Sequence, residues 1–84
     1  MRQKAYLIRK GYEFLSAMVG YEMDIEKMEP RMSLYKYDAA RIPRRNTAEQ
    51  IQAILTERYP DQKWPWKVVR FNAFTGEVSS LDGN

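Results

Sequence analysis

With 84 residues, of which 44% are hydrophobic, 30% charged and 13% aromatic, the chain has the composition of one soluble domain. A domain this small buries only roughly 60% of its unfolded surface. It contains neither Cys nor His, which excludes disulfides, thiolate metal sites, iron-sulfur clusters, cysteine nucleophiles, the imidazole base and most zinc sites, so no enzyme activity, metal or cofactor is expected.

The net charge of +3 is unevenly spread: residues 1 to 45 carry ten Lys and Arg against six Asp and Glu, and residues 46 to 84 carry four against five. The surface is therefore expected to be bipolar rather than uniformly basic. After the basic start, the apolar run Ala5-Tyr6-Leu7-Ile8 ends at Arg9-Lys10, too short for a secretion signal. No stretch approaches the ~18 apolar residues of a membrane span, and a cytoplasmic protein without a membrane partner is expected.

Residues 4 to 10 read as a strand that meets a turn at Gly11. Two templates fit residues 12 to 29. As a strand, Tyr12 to Met18 returns from Gly11 in a hairpin; as a helix, Phe14, Met18, Tyr21, Ile25 and Met28 fall on one stripe. Gly20 inside the helical version, at about 1 kcal/mol relative to Ala, and the lack of a capping side chain favour the hairpin. Pro30 marks a break, and Met32 to Tyr37 alternates as a third strand. In the connector Asp38 to Asn46, Ile42 is expected to enter the core while the arginines face water. Thr47 and Gln50 form a capping box for a helix over residues 48 to 59, which Pro60 stops. Lys67 to Phe71 is a strand by composition, Thr75-Gly76 a turn, and residues 79 to 84 a polar, flexible tail.

The expected fold is a single α+β domain over residues 1 to 78, one helix on an antiparallel sheet of three or four strands. The order is β-β-β-α-β, or β-α-β-α-β if residues 12 to 29 are helical.

Among candidate sites, Glu22, Asp24, Glu26 and Glu29 could hold a hard cation, but Ile25, Lys27 and Met28 interrupt the ligand spacing, and a solvated or partner-facing acidic edge is the plainer reading. Asp61 with Lys63 superficially suggests a nuclease set, yet a second carboxylate is missing and Asp61 fits the turn after a helix. The four glycines are too far apart for a phosphate loop. Arg41, Arg44 and Arg45 could neutralise phosphates beside the helix N-terminus, with Arg70, Phe71 and Phe74, or Tyr35 and Tyr37, as stacking surfaces. The plainer readings are a solvated loop and core aromatics. In Trp64-Pro65-Trp66 the proline stiffens an aromatic knuckle; Trp66 is expected to close the sheet over the helix, and Trp64 either closes it as well or is a candidate binding anchor.

The order of a first strand Lys4 to Lys10, a hairpin-like stretch, Tyr37-Asp38-Ala39-Ala40-Arg41-Ile42-Pro43 leading into Thr47-Ala48-Glu49-Gln50-Ile51, and a last strand Val68-Val69-Arg70-Phe71 resembles small accessory proteins of bacteriophages and prophages. The resemblance spans residues 4 to 78 and carries over no functional residue. Some such proteins, anti-CRISPR proteins among them, inhibit host defence by occupying a surface on a host machine. What this implies is a non-enzymatic protein that docks on and blocks a host protein or ribonucleoprotein. Glu22, Asp24, Glu26 and Glu29 would imitate phosphates, and Arg41, Arg44, Arg45 and Trp64 would anchor the contact. The alternatives are a small nucleic-acid-binding module using the arginines and a homodimeric assembly subunit.

Overall fold

The structure is a computed structural model that describes residues 4–19 and 29–81. Strands β1 (Lys4–Lys10), β2 (Glu13–Val19) and β3 (Glu29–Ser33) precede a 3-10 turn at Lys36–Asp38. Helix α1 (Arg45–Arg58) and strands β4 (Trp66–Asn72) and β5 (Glu77–Ser80) follow. The five strands form one antiparallel sheet in the order β3-β2-β1-β4-β5, with one helix packed on it. No described helix is long and apolar enough to cross a membrane.

The hairpin is the form taken by residues 13 to 19. Lys10 pairs with Glu13 across Gly11 and Tyr12, and Gly11 has φ +62°, as the first position of a primed two-residue turn requires. Leu15 lies off the apparent helical stripe but is buried, and so is its neighbour Phe14. Successive strand residues point to opposite faces, so burial of both means that both faces of the sheet are covered. Leu7 and Ile8, adjacent and both fully buried, say the same of β1.

One face carries Ile8, Leu15 and Trp66 under Ala48 and Leu55 of α1, joined by Ile42. The other carries Leu7, Phe14, Val69 and Phe71 with Ala39. The connector thus has Ala39 in one cluster and Ile42, three residues on, in the other. The reason lies in the sheet: β1 and β2 pair only at Arg9–Phe14 and Lys10–Glu13, next to the turn, and then splay apart. The gap is filled by the connector. The Ala40 N–H donates to the Leu15 carbonyl at 2.9 Å, the Tyr6 N–H to the Ile42 carbonyl at 2.8 Å and the Ile42 N–H to the Tyr6 carbonyl at 2.9 Å. Backbone groups that the splayed strands would leave unpaired are satisfied by this threaded segment.

Three boundaries differ from the sequence reading. β3 spans Glu29–Ser33, not Met32 to Tyr37, because the Ser33 hydroxyl accepts the Tyr35 N–H at 3.1 Å and donates to the Asp38 carboxylate at 3.2 Å, turning the chain out of the ladder. The helix starts at Arg45, with Arg44 as an extended N-cap that makes no side-chain capping bond; Thr47 lies inside the first turn. Pro43 and the pairing of Ile42 with Tyr6 hold residue 42 extended and place the start directly after. Ser79 and Ser80 are not tail: they pair with Arg70 and Val69 in a fifth strand. The loop before it is tied by the Asn72 side chain, whose carbonyl accepts the Phe74 and Thr75 N–H groups at 2.9 and 3.2 Å.

Because α1 begins without a side-chain cap and with two arginines at the positive end of its dipole, Arg44→Ser is expected to stabilise the fold by about 1 kcal/mol. That would raise Tm by roughly 4 to 8 °C in calorimetry. An unchanged or lower Tm would show that the first turn is held by something other than its own donors.

Candidate functional site

Pro60 follows α1, and the chain must then return to the start of β4. Asp61 organises the return: its carboxylate accepts the N–H groups of Lys63 at 3.0 Å and Trp64 at 3.1 Å, and pairs with the Lys10 ammonium at 2.9 Å. It occupies the turn after the helix, as the sequence suggested. The hydrogen bond from Lys10 first, then the backbone N–H of Trp64, holds the Asp61 carboxyl below its ordinary value of 3.8.

This loop sends two tryptophans in opposite directions. Trp66 is buried in the α1-side core, and its indole N–H donates to the Tyr59 carbonyl at 2.9 Å, satisfying a group at the helix end. Trp64 stays 41% exposed and lies on the hairpin turn: a Cβ at Gly11 would sit 3.2 Å from the Trp64 ring, so a larger residue there would push the indole away. The Tyr12 ring stands 5.8 Å from the Trp64 ring at 52°. Tyr12 is 79% exposed and Leu34, just past β3, is 66% exposed. Tyr12, Leu34 and Trp64, with Lys10, Gly11 and Glu13, line a groove of about 270 Å³.

On the other side of Trp64 lies a groove of about 200 Å³ with different chemistry, lined by Arg9, Lys63, Lys67, Gly11 and Pro65 as well as the indole. Trp64 is thus the wall between an apolar groove and a basic one.

The other sequence candidates are distributed as follows. Arg41 is exposed and its guanidinium lies 5.2 Å from the centre of the Phe71 ring, on the face away from α1. Arg44 caps α1, and Arg45 in its first turn pairs with Glu49 at 3.3 Å. The threading of residues 40 to 42 therefore separates Arg41 from Arg44 and Arg45, and no single arginine cluster forms. Glu29 is exposed at the start of edge strand β3; Glu22, Asp24 and Glu26 lie outside the described residues. Phe71 is fully buried, whereas Tyr35, Tyr37 and Phe74 are exposed. Among the described residues no polar or charged residue is buried, and no three acidic side chains converge as a metal would need.

Tyr12, Leu34, Arg9 and Lys67 were not singled out from the sequence as site residues, and Lys63 only beside Asp61. Tyr12 had a readable signal, since an aromatic inside a two-residue hairpin turn has no core to face. Arg9 and Lys67 become neighbours only through strand register. Comparison with protein-family models, curated proteins and solved structures returns no match, so the reading of this surface rests on its chemistry.

The position of Asp61 gives a pH expectation. Its depressed pKa means that its stabilising bonds are complete above the ordinary value of 3.8 and are lost as pH falls through the lower folded value. With 5-fluorotryptophan incorporated, the Trp64 fluorine resonance should shift on acidification below that range. In Asp61→Ala it should already sit at the acid position at neutral pH. A Trp64 resonance that titrates identically in both proteins would assign the loop to other groups.

Proposed function

We propose that this chain is a non-enzymatic binding protein that docks through the Tyr12, Leu34 and Trp64 surface on a protein or ribonucleoprotein and acts by covering the partner's own working surface. One observation carries the reading. Three large apolar side chains from three separate segments, the hairpin turn, the end of β3 and the loop before β4, are held exposed around one groove. Exposed aromatics on a rigid base, rimmed by Lys10 and Glu13, match the anatomy of interface hot spots, in which Trp and Tyr supply most of the energy. The absence of Cys and His leaves chemistry to residue types found on nearly every surface. The resemblance in element order to phage accessory proteins supports a host complex, such as a defence machine, as the kind of partner.

The arginine-based nucleic-acid alternative has less support, because Arg41 lies across the sheet from Arg44 and Arg45. Homodimerisation through a sheet edge is disfavoured on the β3 side by Pro30, which offers no N–H for pairing.

The test is affinity capture from bacterial lysate with and without nuclease, comparing the unaltered chain with Trp64→Ala and with Arg44→Glu/Arg45→Glu. One complex retained after nuclease, lost in Trp64→Ala and kept in the arginine variant, is the expected result. Equal capture by the unaltered chain and Trp64→Ala, or loss only in the arginine variant, would move the working surface elsewhere.

A further inference from the structure

We infer that the basic groove beside Trp64 is a binding site for single-stranded nucleic acid, with Arg9 and Lys67 on the phosphates and Trp64 as the stacking surface. The starting observation is a pairing that the fold does not need. Arg9 and Lys67 stand directly opposite each other on β1 and β4, and like charges in that register destabilise a sheet. The partner of Arg9 on the other side is Phe14, not a carboxylate.

Nearby cations are treated differently. Lys10 is paired with Asp61 at 2.9 Å and Arg45 with Glu49 at 3.3 Å. Among the described residues no carboxylate lies within ion-pair distance of Arg9, Lys63 or Lys67. Lys63 instead holds its ammonium 5.7 Å from the centre of the Trp64 ring. Three cations with no counterion among the described residues and one exposed indole therefore share a groove of about 200 Å³. Folding alone would favour a carboxylate among them.

The chemistry of the missing counterion follows from the geometry. A second groove, of about 280 Å³, is also lined by Arg9 and Lys67 and continues past Arg45, Glu49 and Gln52 to Leu81. The two grooves share Arg9 and Lys67; the one described carboxylate along them, Glu49, is taken by Arg45, and Trp64 supplies an aromatic end. A chain of phosphates carrying planar bases free to unstack fits both features: the backbone neutralises Arg9 and Lys67, and a base takes the place of the Lys63 ammonium against Trp64. A duplex keeps its bases stacked inside and leaves the indole unused, which selects a single strand. The site shares Gly11 and Trp64 with the docking surface but neither Tyr12 nor Leu34, and stands or falls separately from it.

Fluorescence anisotropy of a labelled twelve-nucleotide oligo(dT), with a duplex of the same length as comparison, tests the inference. The unaltered chain is expected to bind the single strand at micromolar concentration in low salt and the duplex at least tenfold more weakly. With two or three phosphates neutralised, log K should fall against log salt with a slope of about −1.4 to −2.1. Arg9→Glu/Lys67→Glu should weaken binding more than tenfold, and the milder Arg9→Gln/Lys67→Gln should weaken it in the same direction with unchanged circular dichroism. Tyr12→Ala/Leu34→Ser should leave it intact, so loss of protein docking and loss of this site are read separately. No binding by the unaltered chain in low salt, a preference for duplex, or undiminished binding by the folded Gln variant would each overturn the inference.

Discussion

Phe71→Ala is expected to destabilise the domain by about 3 to 5 kcal/mol, enough to leave much of it unfolded at physiological temperature. A chain of this length has only about 4 to 12 kcal/mol of stability in all. The effect follows from what Phe71 holds in place. It is fully buried in the cluster on the face away from α1, opposite Ala5 on β1 and Val78 on β5. Tyr37 meets its ring edge-on at 6.1 Å and the Arg41 guanidinium lies 5.2 Å from its centre. Removing the ring therefore leaves a cavity under the connector that covers this face. Urea unfolding followed by circular dichroism measures the loss, and Phe74→Ala is the control. Phe74 is three residues away and 81% exposed, so its removal should change stability by no more than about 0.5 kcal/mol. Equal effects of the two would mean that the second face of the sheet is not packed as described.

The tryptophans flanking Pro65 are expected to separate folding from binding. Trp66→Ala should cost about 3 to 5 kcal/mol in the same unfolding experiment, since it empties the α1-side core and strips the Tyr59 carbonyl of its indole donor. Trp64→Ala should cost about 1 kcal/mol, because only one side of its ring is packed, yet it should weaken partner binding by about 2 kcal/mol or more, some thirtyfold, as loss of a central aromatic anchor does. Isothermal titration with the captured partner, beside the unfolding curves, gives both numbers. If Trp64→Ala destabilised the fold as severely as Trp66→Ala while binding per folded molecule stayed constant, Trp64 would be a core residue that happens to touch solvent.

Much of this architecture is legible in the sequence. The spacing of Ala48, Ile51 and Leu55 identifies the face of α1 that packs on the sheet, Pro60 marks where it ends, and Gly11 marks the hairpin. Trp66 inward is legible too, whereas the sequence left Trp64 open between closing the core and binding, and the structure has it 41% exposed. What escaped has a common cause: it depends on which groups meet after folding. The end of β3 is set by one serine hydroxyl that competes with the ladder, which strand alternation does not register. The start of α1 is set by Ile42 pairing with Tyr6 across the splayed hairpin, so a strong capping signal at Thr47 loses to a tertiary constraint. The same threading breaks up the arginines that look clustered in sequence. Conversely, Arg9 and Lys67, far apart along the chain, are placed side by side by register alone.

Photocrosslinking inside cells tests the central claim most directly. Benzoylphenylalanine is placed at position 12 in the exposed turn, and separately at position 56 on the exposed side of α1. The account predicts a discrete crosslinked protein species from Tyr12→benzoylphenylalanine and none from Thr56→benzoylphenylalanine. A crosslinked species formed from the α1 position alone would contradict it, and would place the working surface on the opposite part of the domain.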